Sequence, residues 1–366
     1  MMPRSPYDSM NIKKIALILL VVVLLVGGAF FLWIYRSLHQ PVVHSKSGQF
    51  IEITRGTAPG SVIRKLSQEG IIRNEWPVLV YLKLTGTGSG FRAGEYDFPS
   101  PVTPAQVIEK LQAGQQRFLR LTVVEGWTRW EIAAAMARLP ELKLPDSESA
   151  LQLMNDTKLI KDIDPMAENL EGYLYPATYE FPRDTTAQDL IALMVKRFRE
   201  EWTPSRSSDA KELGLTPRQV VTTASLIETE AKLAAERPII AAVIYNRLKI
   251  GMPLGIDSSV IYATRLAGKW RNDGKVYQSY LDRRSPYNTR LFAGLPPGPI
   301  ASPGESSLSA ALNPQQVDYL YYVREPSRDD GAHNFYTKES DFQTGVNALR
   351  DWERHRDLEN AQKPAQ

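Results

Sequence analysis

The stretch TPRQVVTTASLIETEA, residues 216–231, sets the reading of the larger part of the chain. Thr216-Pro217-Arg218-Gln219 is a capping box with proline at the first helical position, where its missing N–H costs nothing. At about 100° per residue, Ala224, Ile227 and Ala231 fall within about 40° of Val220 and form a buried stripe. Glu228 falls at about 80°, on the shoulder of that face, and Glu230 at about 280°, on the other side. The two carboxylates therefore cannot converge on one bond, since residues i and i+2 do not face each other. Glu228 is the one placed for partial desolvation, which raises a carboxyl pKa and keeps its proton at neutral pH. The alternative for Glu228 is an ordinary helix-edge glutamate paired with a base such as Arg247.

Downstream, Pro238 and Gly251 bracket a second helix that presents Asn246 and Arg247 near its end. GMPLGIDSSVIYA (251–263) and SPYNTR (285–290) follow. In GLPPGPIASPG (294–304), Pro296, Pro297, Pro299 and Pro303 cannot donate backbone bonds, which predicts a rigid irregular loop of the kind that walls a groove. SSLSAALNP reads as a short helix, and YLYYV with HNFYT as the two strands of a closing hairpin. Residues 353–366 are polar and are expected to be a disordered tail.

Upstream, LRLTVVEG reads as a strand, and Thr128-Arg129-Trp130-Glu131 as another capping box opening a helix through about Arg138. The segment LEGYLYPATYEF (170–181) carries three tyrosines off any helical stripe. It reads as an extended, partly exposed surface for stacking sugar rings, or as core packing with the phenolic OH groups satisfied at its edge. Residues 50–118 hold a strand, FIEIT, a helix stopped by Gly70, a strand, GEYDF, and a helix capped by Thr103-Pro104-Ala105-Gln106. Such a small α/β module serves as a ligand or partner binder, or as a spacer. The fold class is α+β.

Before the module, Ile15 to Tyr35 (IALILLVVVLLVGGAFFLWIY) carries no charge, and about 20 such residues cross about 30 Å of hydrocarbon. Trp33 and Tyr35 suit an interfacial aromatic belt in place of a signal cleavage site. Arg4, Lys13 and Lys14 precede the helix, against Arg36 and Lys46 after it, so residues 1–14 are expected in the cytoplasm. Residues 36–49 read as a linker reaching about 45 Å at roughly 3.3 Å per residue.

Composition excludes several chemistries. There are no cysteines, hence no disulfides, thiolate metal sites or cysteine nucleophiles. His39, His44, His333 and His355 include no i,i+4 pair, so no zinc site is expected, and no G-x-S-x-G elbow is present. Net charge is +3 with no long basic run, which gives no sign of nucleic-acid binding.

Taken in order, LEGYLYPATYEF, ASLIETEA (224–231), NRLKIGMPL (246–254), IDSSVIYA (256–263), YNT (287–289), GLPPGPIASPG and HNFYT make nearly the whole chain resemble the YceG-like endolytic murein transglycosylases. The resemblance implies a LysM-like module at 50–118 and a catalytic domain at 119–352 whose essential glutamate is Glu228. It implies peptidoglycan glycan strands as substrate and cleavage between N-acetylmuramic acid and N-acetylglucosamine. It further implies peptidoglycan synthases (penicillin-binding proteins) as partners and a periplasmic catalytic domain anchored in the inner membrane. No cofactor or metal is needed, since Glu228 supplies the proton, and the sugar's own C6 hydroxyl closes a 1,6-anhydro ring in place of water. Glu171 and Asp257 are the candidates for a second carboxylate, and with Arg247 they are further substrate-contacting candidates. Tyr287, Asn288 and Thr289 are candidate contacts to hydroxyl or N-acetyl groups, or else a turn satisfying its own backbone. The family's Gln-Thr-Asp-Pro-like run is here Gly255-Ile256-Asp257-Ser258, so Asp257 is kept and the amide is absent. Competing expectations are a water-using muramidase and a glycan-binding scaffold without catalysis.

Overall fold

The computed structural model describes residues 12–114 and 118–362. Most of the expected cytoplasmic segment, and residues 363–366 of the expected tail, lie outside the described residues. The chain divides into two compact units, one ending at Phe118 and the other starting at Leu119. Helix and strand are mixed in both.

Helix α1 (Ile12–His39) opens the first unit. It is the one helix, among the described residues, long and apolar enough to cross a membrane, and its apolar window is free of protein contact. This fits a single-pass anchor. Its last turns behave differently: Ile34 and Leu38 are buried in the first unit's core. The helix therefore overruns the expected linker to His39. Beyond it, Val42 and Val102 form an antiparallel bridge, with N···O distances of 2.8 and 3.1 Å. The Gly48 N–H then donates to Asp97 Oδ1 at 2.9 Å. Residues 36–49 are thus folded onto the module rather than extended, because their apolar side chains and backbone groups find partners there.

That module pairs β1 (Ile51–Ile53) antiparallel with β2 (Gly94–Tyr96), Glu52 opposite Glu95. Between the two strands run α2 (Pro59–Gln68) and α3 (Glu75–Thr85), and α4 (Pro104–Ala113) follows. The expected Thr103 capping box is formed in full. Helix α3 has no counterpart in the sequence reading.

The second unit begins within β3 (Phe118–Thr122) and continues through α5 (Arg129–Ala137) and α6 (Ser147–Leu153). Strand β4 (Thr178–Pro182) pairs with β3. Then come α7 (Ala187–Glu201), α8 (Pro204–Glu212), α9 (Pro217–Glu230), α10 (Arg237–Lys249) and α11 (Asp257–Leu266). They are followed by α12 (Gln278–Leu281), α13 (Glu305–Leu312), the antiparallel hairpin of β5 (Tyr321–Arg324) and β6 (His333–Tyr336), and α14 (Glu339–Gln362).

Helix α9 is the spine of this unit. Every residue from Val220 to Ile227 is buried, against α8, α10, α11 and α13, so the expected one-sided stripe is a fully enclosed segment. The tyrosines of 170–181 are core as well: Tyr173, Tyr175 and Tyr179 are all buried. The Tyr173 hydroxyl donates to Asp164 Oδ2 at 2.7 Å and the Tyr179 hydroxyl to the Tyr175 carbonyl at 2.5 Å. The exposed-surface alternative for this segment is set aside. The tail expectation is also corrected, since α14 carries the chain helically to Gln362. Phe342 stacks on Tyr321 at 5.1 Å, and Arg324 and Arg356 lie over the Trp352 ring.

Candidate active site

The C-terminal turn of α9 carries Glu228, Thr229 and Glu230 between the proline-rich loop and the closing hairpin. The Glu228 side chain is only 5% exposed. Arg237 Nη2, at the start of α10, donates to its Oε1 at 3.0 Å, and the Gly304 N–H donates to its Oε2 at 2.8 Å. The base beside Glu228 is therefore Arg237, not Arg247. Arg237 is itself held by Ser307 Oγ at 3.0 Å. Arg247 is spent elsewhere, donating to the carbonyls of Leu320 and Leu254, each at 2.6 Å.

Burial also falls on Glu230, which the helical wheel had set aside. Its Oε2 accepts from the Tyr322 hydroxyl at 2.8 Å, and Ser258 Oγ lies 3.4 Å from its Oε1. Desolvation pushes this carboxyl above its ordinary range, against the lowering effect of the Tyr322 hydrogen bond. A second carboxyl that the sequence reading missed is Glu125, in the turn after β3. A Cβ added at Gly304 would fall on Glu125 Oε1, so only glycine lets this carboxyl approach the loop. Burial, and then the nearby charge of Glu228, raise the Glu125 carboxyl. The turn itself is locked to the loop: the Gly126 N–H donates to the Ser302 carbonyl at 2.9 Å, and the Ser302 N–H to the Trp127 carbonyl at 2.7 Å.

Beside this turn opens a cavity of about 200 Å³, lined among others by Gly126, Thr128, Thr229, Ser258, Tyr262 and Arg265. Its lining mixes hydroxyl and charged side chains with Ile261 and Ile300, and Thr229 on its wall is the chain neighbour of Glu228. A larger cleft of about 640 Å³ runs along the earlier part of α9, between Gln219 and Pro297, and none of these carboxylates lines it.

The other expected site residues separate into two groups. Glu171 and Tyr287 share one layer. Tyr262 packs between Trp130 and Tyr287, with ring centres 5.2 and 5.0 Å away. Glu171 is buried beneath it, and the Arg129 N–H at the start of α5 donates to its two oxygens at 3.1 and 3.3 Å. Burial pushes the Glu171 carboxyl up to about 8. Asn288 and Thr289, by contrast, are buried and engaged by their own surroundings. Asn288 Nδ2 donates to the carbonyls of Leu281 and Arg283 at 2.8 and 2.9 Å. Thr289 Oγ1 accepts from the Ile256 N–H at 3.0 Å and meets Ser259 Oγ at 2.8 Å. These bonds tie residues 288 and 289 to the chain before them and to the start of α11, not to the backbone of their own turn. Asp257, at the first position of α11, pairs with Arg290 at 2.6 Å on the surface.

Among the described residues no group of three His, Asp or Glu side chains is arranged to hold a metal ion. His333 instead pins the hairpin: its backbone N–H and its Nδ1 each meet a Glu236 oxygen at 2.8 Å.

Comparison with known proteins adds to this geometry. The model of the YceG-like family matches residues 51–348. A protein of Bacillus subtilis (strain 168) named endolytic murein transglycosylase is 37% identical over 316 residues, covering 82% of this chain and 85% of its own. A protein of the same name from Streptococcus pneumoniae (D39) is 28% identical, and the match covers 84% of this chain and 60% of that one. The crystal structure of a YceG-like protein from Listeria monocytogenes superposes with a TM-score of 0.55 at 29% identity, covering 81% of this chain and 97% of that one. With the family pattern matched across most of its length, the chain belongs to the YceG-like family.

Proposed function

We propose that the chain is an endolytic murein transglycosylase that cuts nascent peptidoglycan strands between N-acetylmuramic acid and N-acetylglucosamine, leaving 1,6-anhydro ends. It works on the periplasmic face of the inner membrane, with α1 as anchor, the first unit as a LysM-like glycan-binding module and peptidoglycan synthases as partners. The relatives' name supports the reaction class. The observation that carries the chemistry is Glu228: one carboxyl, nearly desolvated, oriented by Arg237 and the Gly304 N–H beside a cavity lined in part by Thr128, Thr229 and Ser258.

In the first step the Glu228 proton goes to the glycosidic oxygen as its bond to the muramyl C1 breaks. Arg237 is placed to stabilise the carboxylate that remains. In the second step the sugar's C6 hydroxyl attacks C1, and its proton passes to Glu228. The acid is regenerated and no water is consumed. Intramolecular attack supplies the effective concentration that glycosidases otherwise obtain from a carboxylate-activated water.

Glu228→Gln keeps size and hydrogen bonding, and should lower digestion of purified sacculi by about 10²–10⁴-fold, the usual contribution of general acid–base work. A second reading makes Glu230 the acid, favoured by burial that outweighs the lowering effects of Tyr322 and His333. Glu230→Gln separates the two: sparing activity supports Glu228, and abolishing it while Glu228→Gln remains active transfers the role. Mass spectrometry of the products tests the reaction itself, since reducing ends in place of anhydro ends would mean a water-using muramidase.

A further inference from the structure

Helix α3, EWPVLVYLKLT, is apolar nearly all round, and such a helix is either enclosed or set against an apolar medium. Pro77, Val78 and Leu82 are enclosed in the first unit's core. The opposite side is not: Trp76 is 66% exposed and Leu84 74%. On a helical wheel Trp76, Val80, Lys83 and Leu84 share an arc of about 100°, so the outward face is an apolar stripe with one cation on it.

The position of this face follows from what α3 packs on. Val78 and Leu82 share a core with Ile34 and Leu38 of α1. Counting from Ile15, where the apolar run begins, to Ile34 gives about 20 residues, or about 30 Å of helix, which is the thickness of the hydrocarbon layer. A spanning α1 therefore places Ile34 at the hydrocarbon boundary and its packing partner α3 at headgroup level. Trp33 and Tyr35, both exposed on α1, mark the same level as an aromatic belt. Arg36 and Lys83 are exposed at that end of the unit, where cations meet lipid phosphates while their stems lie along apolar surface.

We propose that the outward face of α3 is a second membrane contact: Trp76, Val80 and Leu84 bed into the lipid interface beside the exit of α1, with Lys83 reaching the phosphates. The first unit then lies on the bilayer instead of standing above it. The inference rests on α1 spanning the membrane.

The absence of cysteine makes the test direct, since single introduced cysteines can be spin-labelled without background. The full chain would be placed in phospholipid nanodiscs with labels at Val22→Cys within the anchor, Trp76→Cys and Leu84→Cys on α3, and Lys211→Cys as an exposed reference. Collision with oxygen, which concentrates in lipid, is compared with collision with a water-soluble nickel chelate. The expected result is an oxygen-to-nickel ratio several-fold above the Lys211 reference at one or both α3 positions, with Val22 higher still. Lipid exposure at Val22 with water-like ratios at both α3 positions would overturn the inference and leave the anchor standing. Water-like ratios at Val22 would remove the anchor and the inference together. Labels on α3 shielded from both reagents, and released on diluting the chain among the discs, would mean that a second copy covers the face.

Discussion

Glu171 is a carboxyl folded into a place that disfavours its charge. It ionises near 4.5 when unperturbed and near 8 in the folded chain, mainly through desolvation, with the Arg129 side chain and backbone N–H acting in the opposite direction. Between those values the folded state holds a proton that the unfolded state has released. Stability should therefore fall as pH rises through that window, and level off above it. Thermal melts of Glu171→Gln between pH 5 and 8 should be flatter than those of the parent. An unchanged slope would place the ionisation elsewhere, Glu125 and Glu230 being other carboxyls raised by burial. At this scale the sequence was readable where the physics is local. The wheel picked out Glu228, but the base named for it, Arg247, gives way to Arg237, because the pairing depends on how the chain turns after the helix ends. Glu125 left no local sign at all: its place is created by Gly304, from a distant loop. Asn288 and Thr289 are ambiguous as residue types, and their bonds to Leu281, Arg283 and Ile256 depend on segments the local sequence does not contain.

Helices announced themselves where their starts are chemically marked. The boxes at Thr103, Thr128 and Thr216 all form, each closed by the residue three positions on. Helix α3 was missed for the opposite reason, since it is apolar on every side and shows no 3.6-residue period, with Pro77 near its start. The proline-rich loop was legible as irregular backbone, but its attachment was not. Gly172 shows that attachment: its φ is +81°, and a Cβ there would collide with the Pro299 ring and lie 3.0 Å from Val221 Cγ1. Gly172→Ala should cost about 2–6 kcal/mol in denaturant unfolding, from backbone strain and overpacking together. Gly214→Ala is the control, with φ +69° and open space around it, so only the backbone cost of about 1–2 kcal/mol applies. Equal losses at the two sites would remove the contact with Pro299 from the account.

For the whole molecule, the junction between anchor and module changes what truncation means. A chain starting at residue 32 loses the apolar span but keeps Ile34 and Leu38 in the core. It should digest glycan in solution like the full chain and fail to replace it in cells, because cutting is no longer confined to the membrane. Full cellular function from that form would sink the role given to the anchor. A chain starting at residue 40 removes both core side chains, and its first unit should unfold more easily by about 2–5 kcal/mol for each large apolar side chain lost. Comparing the two by hydrogen exchange over residues 50–114 separates tethering from folding.

As the proposed anchor, α1 would begin in lipid and end inside a folded core, and so act as a ruler. Each residue added to or taken from the apolar run of α1 shifts the module by about 1.5 Å along the membrane normal. An unfolded leash would absorb such a change. Here the mismatch has to be met by tilt of α1 or by local thinning or thickening of the bilayer. Bilayer thickness, a property of the lipids alone, thereby becomes a setting for the height at which the first unit rides.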